Sequence, residues 1–142
     1  MAVIVDLANA VVAELNGGTF SQVFGAERGY TPVFELKDMK TLHVTVVPKG
    51  LAIEAFSRSQ SQHDYQVDVA VQKKLANAGN AEVDPLMTLV EEIADFFRAR
   101  RLTTYPNAIW TKTENAPVYA AEHFEDLRQF TSVLTFTFRV AR

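Results

Sequence analysis

From Ile4, apolar residues recur at Leu7, Ala8, Val11 and Leu15, a spacing that gathers them on one face of a helix. Asn16-Gly17-Gly18 follows and predicts the stop, since glycine tolerates the left-handed conformation that caps helix C-termini. A second helix is predicted to start at Asp84-Pro85. There Asp84 can accept an orphan N–H and Pro85 suits the first helical position. Its buried stripe reads Leu86, Leu89, Val90, Ile93 and Phe97, and its polar face Asp84, Thr88, Glu91, Glu92 and Asp95. Arg98, Arg100 and Arg101 are expected in the last turn, opposite the negative end of the helix dipole.

Between the helices the period changes from 3.6 to 2. Leu42 to Val47 reads as a strand broken by Pro48-Lys49-Gly50, which has turn chemistry, and an extended pattern resumes from Leu51 to Ser57. Arg58 to His63 is polar and aperiodic, a predicted loop. From Tyr65 to Gln72 the alternation is clean, with Tyr65, Val67, Val69 and Val71 on one face. Phe130 to Val140 alternates again, mostly apolar at even positions and mostly Thr and Arg at odd ones.

Leu102 to Gln129 carries Tyr105, Trp110, Tyr119 and Phe124 among Thr, Asn, Glu and prolines. A structureless stretch of that length is uncommon inside a compact domain, so it is read as an extended hairpin or arm. The expected architecture is an α+β domain over residues 1–142. It has a mainly antiparallel sheet of about four strands, two helices on one face, and the arm.

Composition narrows the function classes. With 142 residues, 48% of them hydrophobic, the chain can bury one core without a metal or disulfide staple. Cysteine is absent, which removes thiolate catalysis, cysteine-based zinc sites and disulfides. A net charge of −3 argues against a chain-wide grip on nucleic acid, which needs surplus cations to displace counterions. Met1 to Asp6 lacks the basic start and long apolar run of a signal peptide, and no run reaches the ~18 apolar residues of a membrane span. The expectation is a mildly acidic, soluble domain.

The inventory of reactive groups is thin. His43, His63 and His123 are far apart, and His63-Asp64 are neighbours that a regular strand sends to opposite faces. No metal or cofactor site is expected. Asp64 and Asp68 could form a carboxylate pair, but solvent-facing acids on a half-buried strand are commoner. No phosphate-cradling glycine motif and no nucleophile elbow occurs. Arg98, Arg100 and Arg101 could hold a phosphate or an acidic partner as well as complement the dipole. Nothing in this set argues for an enzyme.

Three segments carry a resemblance. They are Ser57–Lys74, Glu82–Phe97 and Arg128–Arg139. Together they resemble the small tail-module proteins of long-tailed bacteriophages and prophages, above all the tail terminator, or tail completion, group. The resemblance implies a non-enzymatic virion protein without cofactor, forming a hexameric ring on the last ring of the tail tube. Its implied partners are copies of itself, the major tail tube protein and the head–tail connector or neck. Genomic DNA would pass through the lumen without sequence-specific binding, and no membrane is involved. The implied location is the head-proximal end of the tail, after assembly in the host cytoplasm.

Candidate contact residues are Arg58, Gln60, Gln62 and His63 in the polar loop, Trp110 and Tyr119 in the aromatic arm, and Arg128. Aromatics supply large contact area at low entropic cost, though Trp110 and Tyr119 could equally pack on their own core. Other readings are a neck or tail-completion adaptor, a small-molecule-binding or enzymatic α+β domain, and, more remotely, a nucleic-acid binder using the arginines with Lys73-Lys74.

Overall fold

The computed structural model describes residues 2–30, 42–55, 57–76, 79–115 and 129–142. Its elements run α1 (Val3–Gly17), β1 (Ala26–Arg28), β2 (His43–Ala55), β3 (Ser61–Lys74), α2 (Asn80–Phe97), β4 (Ile109–Glu114) and β5 (Gln129–Ala141). The strands form one sheet in the order β1-β2-β3-β5-β4. The fold is α+β as expected, with five strands instead of about four. Among the described residues only the short β1–β2 pair is parallel.

The sheet's helix-side face is set by alternation. Tyr65, Val67 and Val69 of β3 lie opposite Phe138, Phe136 and Leu134 of β5, and Val71 and Val69 lie opposite Val44 and Val46 of β2. All are buried, and both helices close over them. α1 contributes Leu7, Ala8, Val11 and Leu15, and α2 contributes the whole expected stripe, Leu86, Leu89, Val90, Ile93 and Phe97. Each large side chain so buried is worth about 1.5–3 kcal/mol. An aromatic chain ties the layers together: Phe20 meets Phe96 at 5.1 Å, Phe96 meets Phe97 at 5.2 Å, and Phe97 meets Phe136 at 4.8 Å between ring centroids.

Four expectations are corrected. Gly18 caps α1 in an extended conformation (φ −87°), not a left-handed one. Its glycine is required by space, because an added Cβ would sit 2.9 Å from Phe20 and 3.0 Å from Phe96. α2 begins at Asn80, so Asp84 is no cap and Pro85 lies inside the helix. The carbonyl that Pro85 leaves without an i+4 donor belongs to Ala81, which is exposed, so water can serve it and the buried stripe outweighs the loss. The last turn of α2 holds no basic residue. Arg98 is already extended, and Ala99 turns the chain in the left-handed region at φ 57°. Finally, Pro48-Lys49-Gly50 is a bulge within one continuous strand. Proline is tolerated there because β1 pairs with β2 only at Val44–Val46, so among the described residues the outer edge of Pro48 meets no ladder acceptor.

Arg100 does its work elsewhere. Its guanidinium lies 3.8 Å from the Phe96 ring centroid and its Nε donates to Glu14 Oε2 at 3.0 Å. Glu14, buried on α1, also accepts the Thr103 N–H at 2.6 Å. Burial alone would raise the Glu14 carboxyl, but the Thr103 hydrogen bonds and Arg100 together outweigh it and hold the pKa below the usual 4.5. This clamp fixes the path from α2 to β4. At the other end, Asn16 plays the same part: its Oδ1 accepts the Ala26 N–H at 2.8 Å, and its Nδ2 donates to the Ala26 carbonyl at 3.2 Å, seating β1 against β2.

Two predictions follow from the packing. Ile93→Asp places a charge in the core and should cost several kcal/mol. Glu92→Lys is not the neutral control its polar position suggests, because the Glu92 carboxylate accepts both the N–H and the hydroxyl of Ser21, at 3.1 and 2.6 Å. It should cost about 1 kcal/mol, whereas exposed Glu91→Lys should stay within about 0.5 kcal/mol. Thermal melts should rank the three in that order. For Glu14, whose folded pKa is depressed, the stabilisation is present above the unfolded value and is lost as pH falls through the folded one. Glu14→Gln should therefore lower stability at pH 7 and flatten its decline under acid, as chemical denaturation at stepped pH would measure.

Candidate interaction surface

The β2–β3 hairpin ends in the turn 57–60. There the Ser57 N–H donates to the Gln60 carbonyl at 3.0 Å, and the Gln60 N–H donates to Ser57 Oγ at 3.1 Å. Arg58 and Gln60 lie exposed on this turn, as the polar loop predicts. Gln62 and His63 do not, because β3 starts at Ser61. The loop is therefore shorter than its polarity suggests. Gln62 is half-buried, and its amide oxygen, turned toward the guanidinium, accepts from Arg139 Nη2 and Nε at 3.1 and 3.2 Å. His63 is buried on the helix side, stacked on Tyr65 with Nδ1 3.4 Å from its hydroxyl. Polar letters hid a strand, because paired side chains satisfy one another across it.

Trp110 lies half-buried on β4, its indole N–H donating to Thr113 Oγ1 at 2.8 Å. It packs on its own core, the second of the two readings the sequence left open for it. Tyr119 and Arg128 lie outside the described residues. Of the stretch Leu102–Gln129 read as a hairpin or arm, Ile109–Glu114 is a strand that pairs antiparallel with β5, and residues 116–128 lie outside the described residues.

The face away from the helices carries paired charges. Arg139 Nε and Nη2 donate to the Asp64 carboxylate at 2.9 and 3.3 Å, and this hydrogen bonding raises the guanidinium pKa. Asp68 accepts the Thr135 hydroxyl at 2.6 Å and lies 3.8 Å from Lys49. Lys112 meets Glu114 at 2.6 Å and holds its carboxyl below the usual range. Asp64 and Asp68 thus serve separate partners and form no carboxylate pair. Among the described residues, no group of three His, Asp or Glu could hold a metal, and no helix is long and apolar enough to cross a membrane.

A groove of about 340 Å³ runs between α2 and the β4–β5 pair, lined by Val90, Ala94, Asp95, Arg98, Trp110 and Asn115 among others. Its amide and hydroxyl groups are engaged already, with Thr113 taken by Trp110 and Asn115 Nδ2 donating to Ser132 Oγ and the Val133 carbonyl at 3.0 and 2.8 Å. The charged side chains of Glu91, Asp95 and Arg98 complete its lining.

The fold is shared with a virion protein. A chain of the "Virion of native gene transfer agent (GTA) particle" matches with a TM-score of 0.64 at 16% identity, covering 99% of this chain and 98% of that one. A chain of the extracellular contractile injection system "PVC sheath/tube terminator in extended state" matches with a TM-score of 0.48 at 15% identity, and this chain spans 57% of its length. No protein family model matches the chain, and no curated protein matches its sequence.

The corrected loop gives a test. Replacing Arg58-Ser59-Gln60 by Gly-Ser-Gly keeps the backbone hydrogen bonds of the turn and should leave the melting temperature nearly unchanged. His63→Asp, one strand residue further on, buries an unpaired charge and should cost more than about 2 kcal/mol. Equal melting temperatures for the two variants would contradict the assignment of His63 to the strand.

Proposed function

We propose that the protein is a structural, non-enzymatic subunit of a phage-type tail, acting as a tail terminator. Copies of it assemble into a ring, a hexamer, that seats on the last ring of the tail tube and ends polymerisation. The ring's opposite surface receives the head–tail connector. DNA passes through the lumen without sequence-specific binding, and the ring resides at the head-proximal end of the virion after assembly in the host cytoplasm. The observation that carries this reading is a fold shared from end to end with a virion chain. The resemblance of Ser57–Lys74, Glu82–Phe97 and Arg128–Arg139 to the terminator group supports it independently.

A growing tube presents the same surface after every addition. A terminator must bind that surface better than the next tube ring does, and must expose an upper surface the tube protein cannot use. Deleting the gene should therefore leave filled heads unjoined and tails of uncontrolled length in electron micrographs of the lysate. Tails of normal length left unattached would instead favour a neck adaptor. Normal tails joined to heads would overturn both readings.

A further inference from the structure

We propose that the open outer edge of β2, residues Gly50–Ala55, takes β4 of a second copy of this chain as an added antiparallel strand, with Glu54 opposite Lys112. The inference rests on the ring reading above and names the surfaces that would close the ring.

The starting observation is an unguarded edge. β1 covers β2 only at Val44–Val46, and Gly29 adds one bond to the Val46 carbonyl. Beyond that, among the described residues, the backbone ladder of β2 runs only with β3. Edge strands are normally blunted by proline, lysine or a bulge. Here Pro48, Lys49 and the bulge guard only the first part. Gly50-Leu51-Ala52-Ile53-Glu54-Ala55 has none of these, and it exposes Leu51 by 50% and Ile53 by 56% on the helix-side face.

The opposite edge of the sheet supplies the complement. Among the described residues β4 pairs only with β5. Successive strands β2, β3, β5 and β4 alternate in direction. Repeating this four-strand unit by rotation about an axis along the strands therefore brings β4 of one copy antiparallel to β2 of the next. Both open edges lie at the same end of the sheet. Ile109–Glu114 faces the β5 stretch Thr135–Arg139, which faces Asp64–Asp68 of β3, which faces Val47–Ala52 of β2.

Charge selects the register. Glu54, Lys112 and Glu114 all belong to the face away from the helices, by their pairing with Gln62, Thr137 and Thr135. Antiparallel registers that keep the faces matched step by two residues. One step sets Glu54 against Glu114, which repels, and another sets it against Lys112, which attracts. The attractive register also places Ile53 opposite Thr113 and covers the apolar pair at the edge. A heterologous contact of this kind uses a different surface on each partner and closes when the rotation closes.

The chain has no cysteine, so a Glu54→Cys/Lys112→Cys double variant of the full chain tests the contact directly. Both positions are exposed, and circular dichroism should match the parent. Under oxidation at concentrations where the parent assembles, on its own or on purified tail tubes, the double variant should give a ladder of covalent oligomers ending in a closed species. Neither single variant should do so, and mixing the two singles should give only a covalent pair. Glu54→Lys should weaken assembly measured by light scattering, and adding Lys112→Glu should restore it. Assembly of the parent without any ladder from the double variant would overturn this interface and leave the ring reading standing. Covalent dimers from Ala52→Cys alone would overturn it in favour of two β2 edges meeting about a twofold axis. A parent that assembles neither alone nor on tubes would overturn the ring reading with it.

Discussion

Tyr65, Val67 and Val69 face Phe138, Phe136 and Leu134 across the central strand pair, and every other element takes its place from that register. A slip of one residue would turn Asp64 and Asp68 into the core and Tyr65 and Val67 out of it, so the pairing has no near competitor. Phe136 presents its ring to Phe97, which fixes where α2 lies. Val69 and Val71 set the position of β2 through Val46 and Val44, and the first helix then covers that end of the sheet. On the far face the same register brings Asp64 to Arg139 and Asp68 to Thr135. Apolar burial chooses the register, and the polar pairs confirm it at little further gain, since half-exposed ion pairs contribute little.

Where side-chain period decided the outcome, the structure was legible in the sequence. The α2 stripe, the Tyr65–Val71 face and the even positions of β5 were readable because each is set by burial of a single face. What was not legible depends on contacts between distant residues. Gly18 is glycine because Phe96 approaches from another element, which no local rule contains. Arg100 looks like a dipole complement until Glu14, far away in sequence, is placed beside it. Pro48 and Gly50 read as a turn because turn chemistry and bulge chemistry use the same residues. Only the short β1, which leaves that part of β2 at an open edge, shows which of the two applies.

The candidate contact surface was less legible for a related reason. Arg58 and Gln60 stand where polarity placed them, but His63 belongs to the buried face because a strand carries alternation through residues of any polarity. Conversely, Leu51 and Ile53 read as ordinary strand positions on the core side of the pleat. Their exposure is a property of topology: they lie on β2 beyond its pairing with β1, while Tyr65 and His63 opposite them on β3 are buried. Hydrophobic alternation tells which face a residue takes, and only the extent of the opposing layer tells whether that face is closed.

Edge protection and assembly make opposite demands on the same strand. A subunit that exists free before it assembles must not pair indiscriminately, so its edges need guards; a subunit that joins others edge to edge cannot be guarded along its whole length. On the proposed contact, β2 divides the two tasks along its length. Pro48 removes a donor and the bulge at Lys49 breaks the ladder, while the run from Gly50 keeps regular pairing with β3 and leaves its outer groups in order. β4 is short, bulged between Trp110 and Lys112 and charged at its end, which limits what it can pair with to a short stretch. Two partly guarded edges, each incomplete at the same end of the sheet, restrict pairing to one short region without abolishing it. In the proposed contact the charges at Glu54, Lys112 and Glu114 act less as a source of affinity than as a filter on register, because like charges set directly opposite each other destabilise a strand pair.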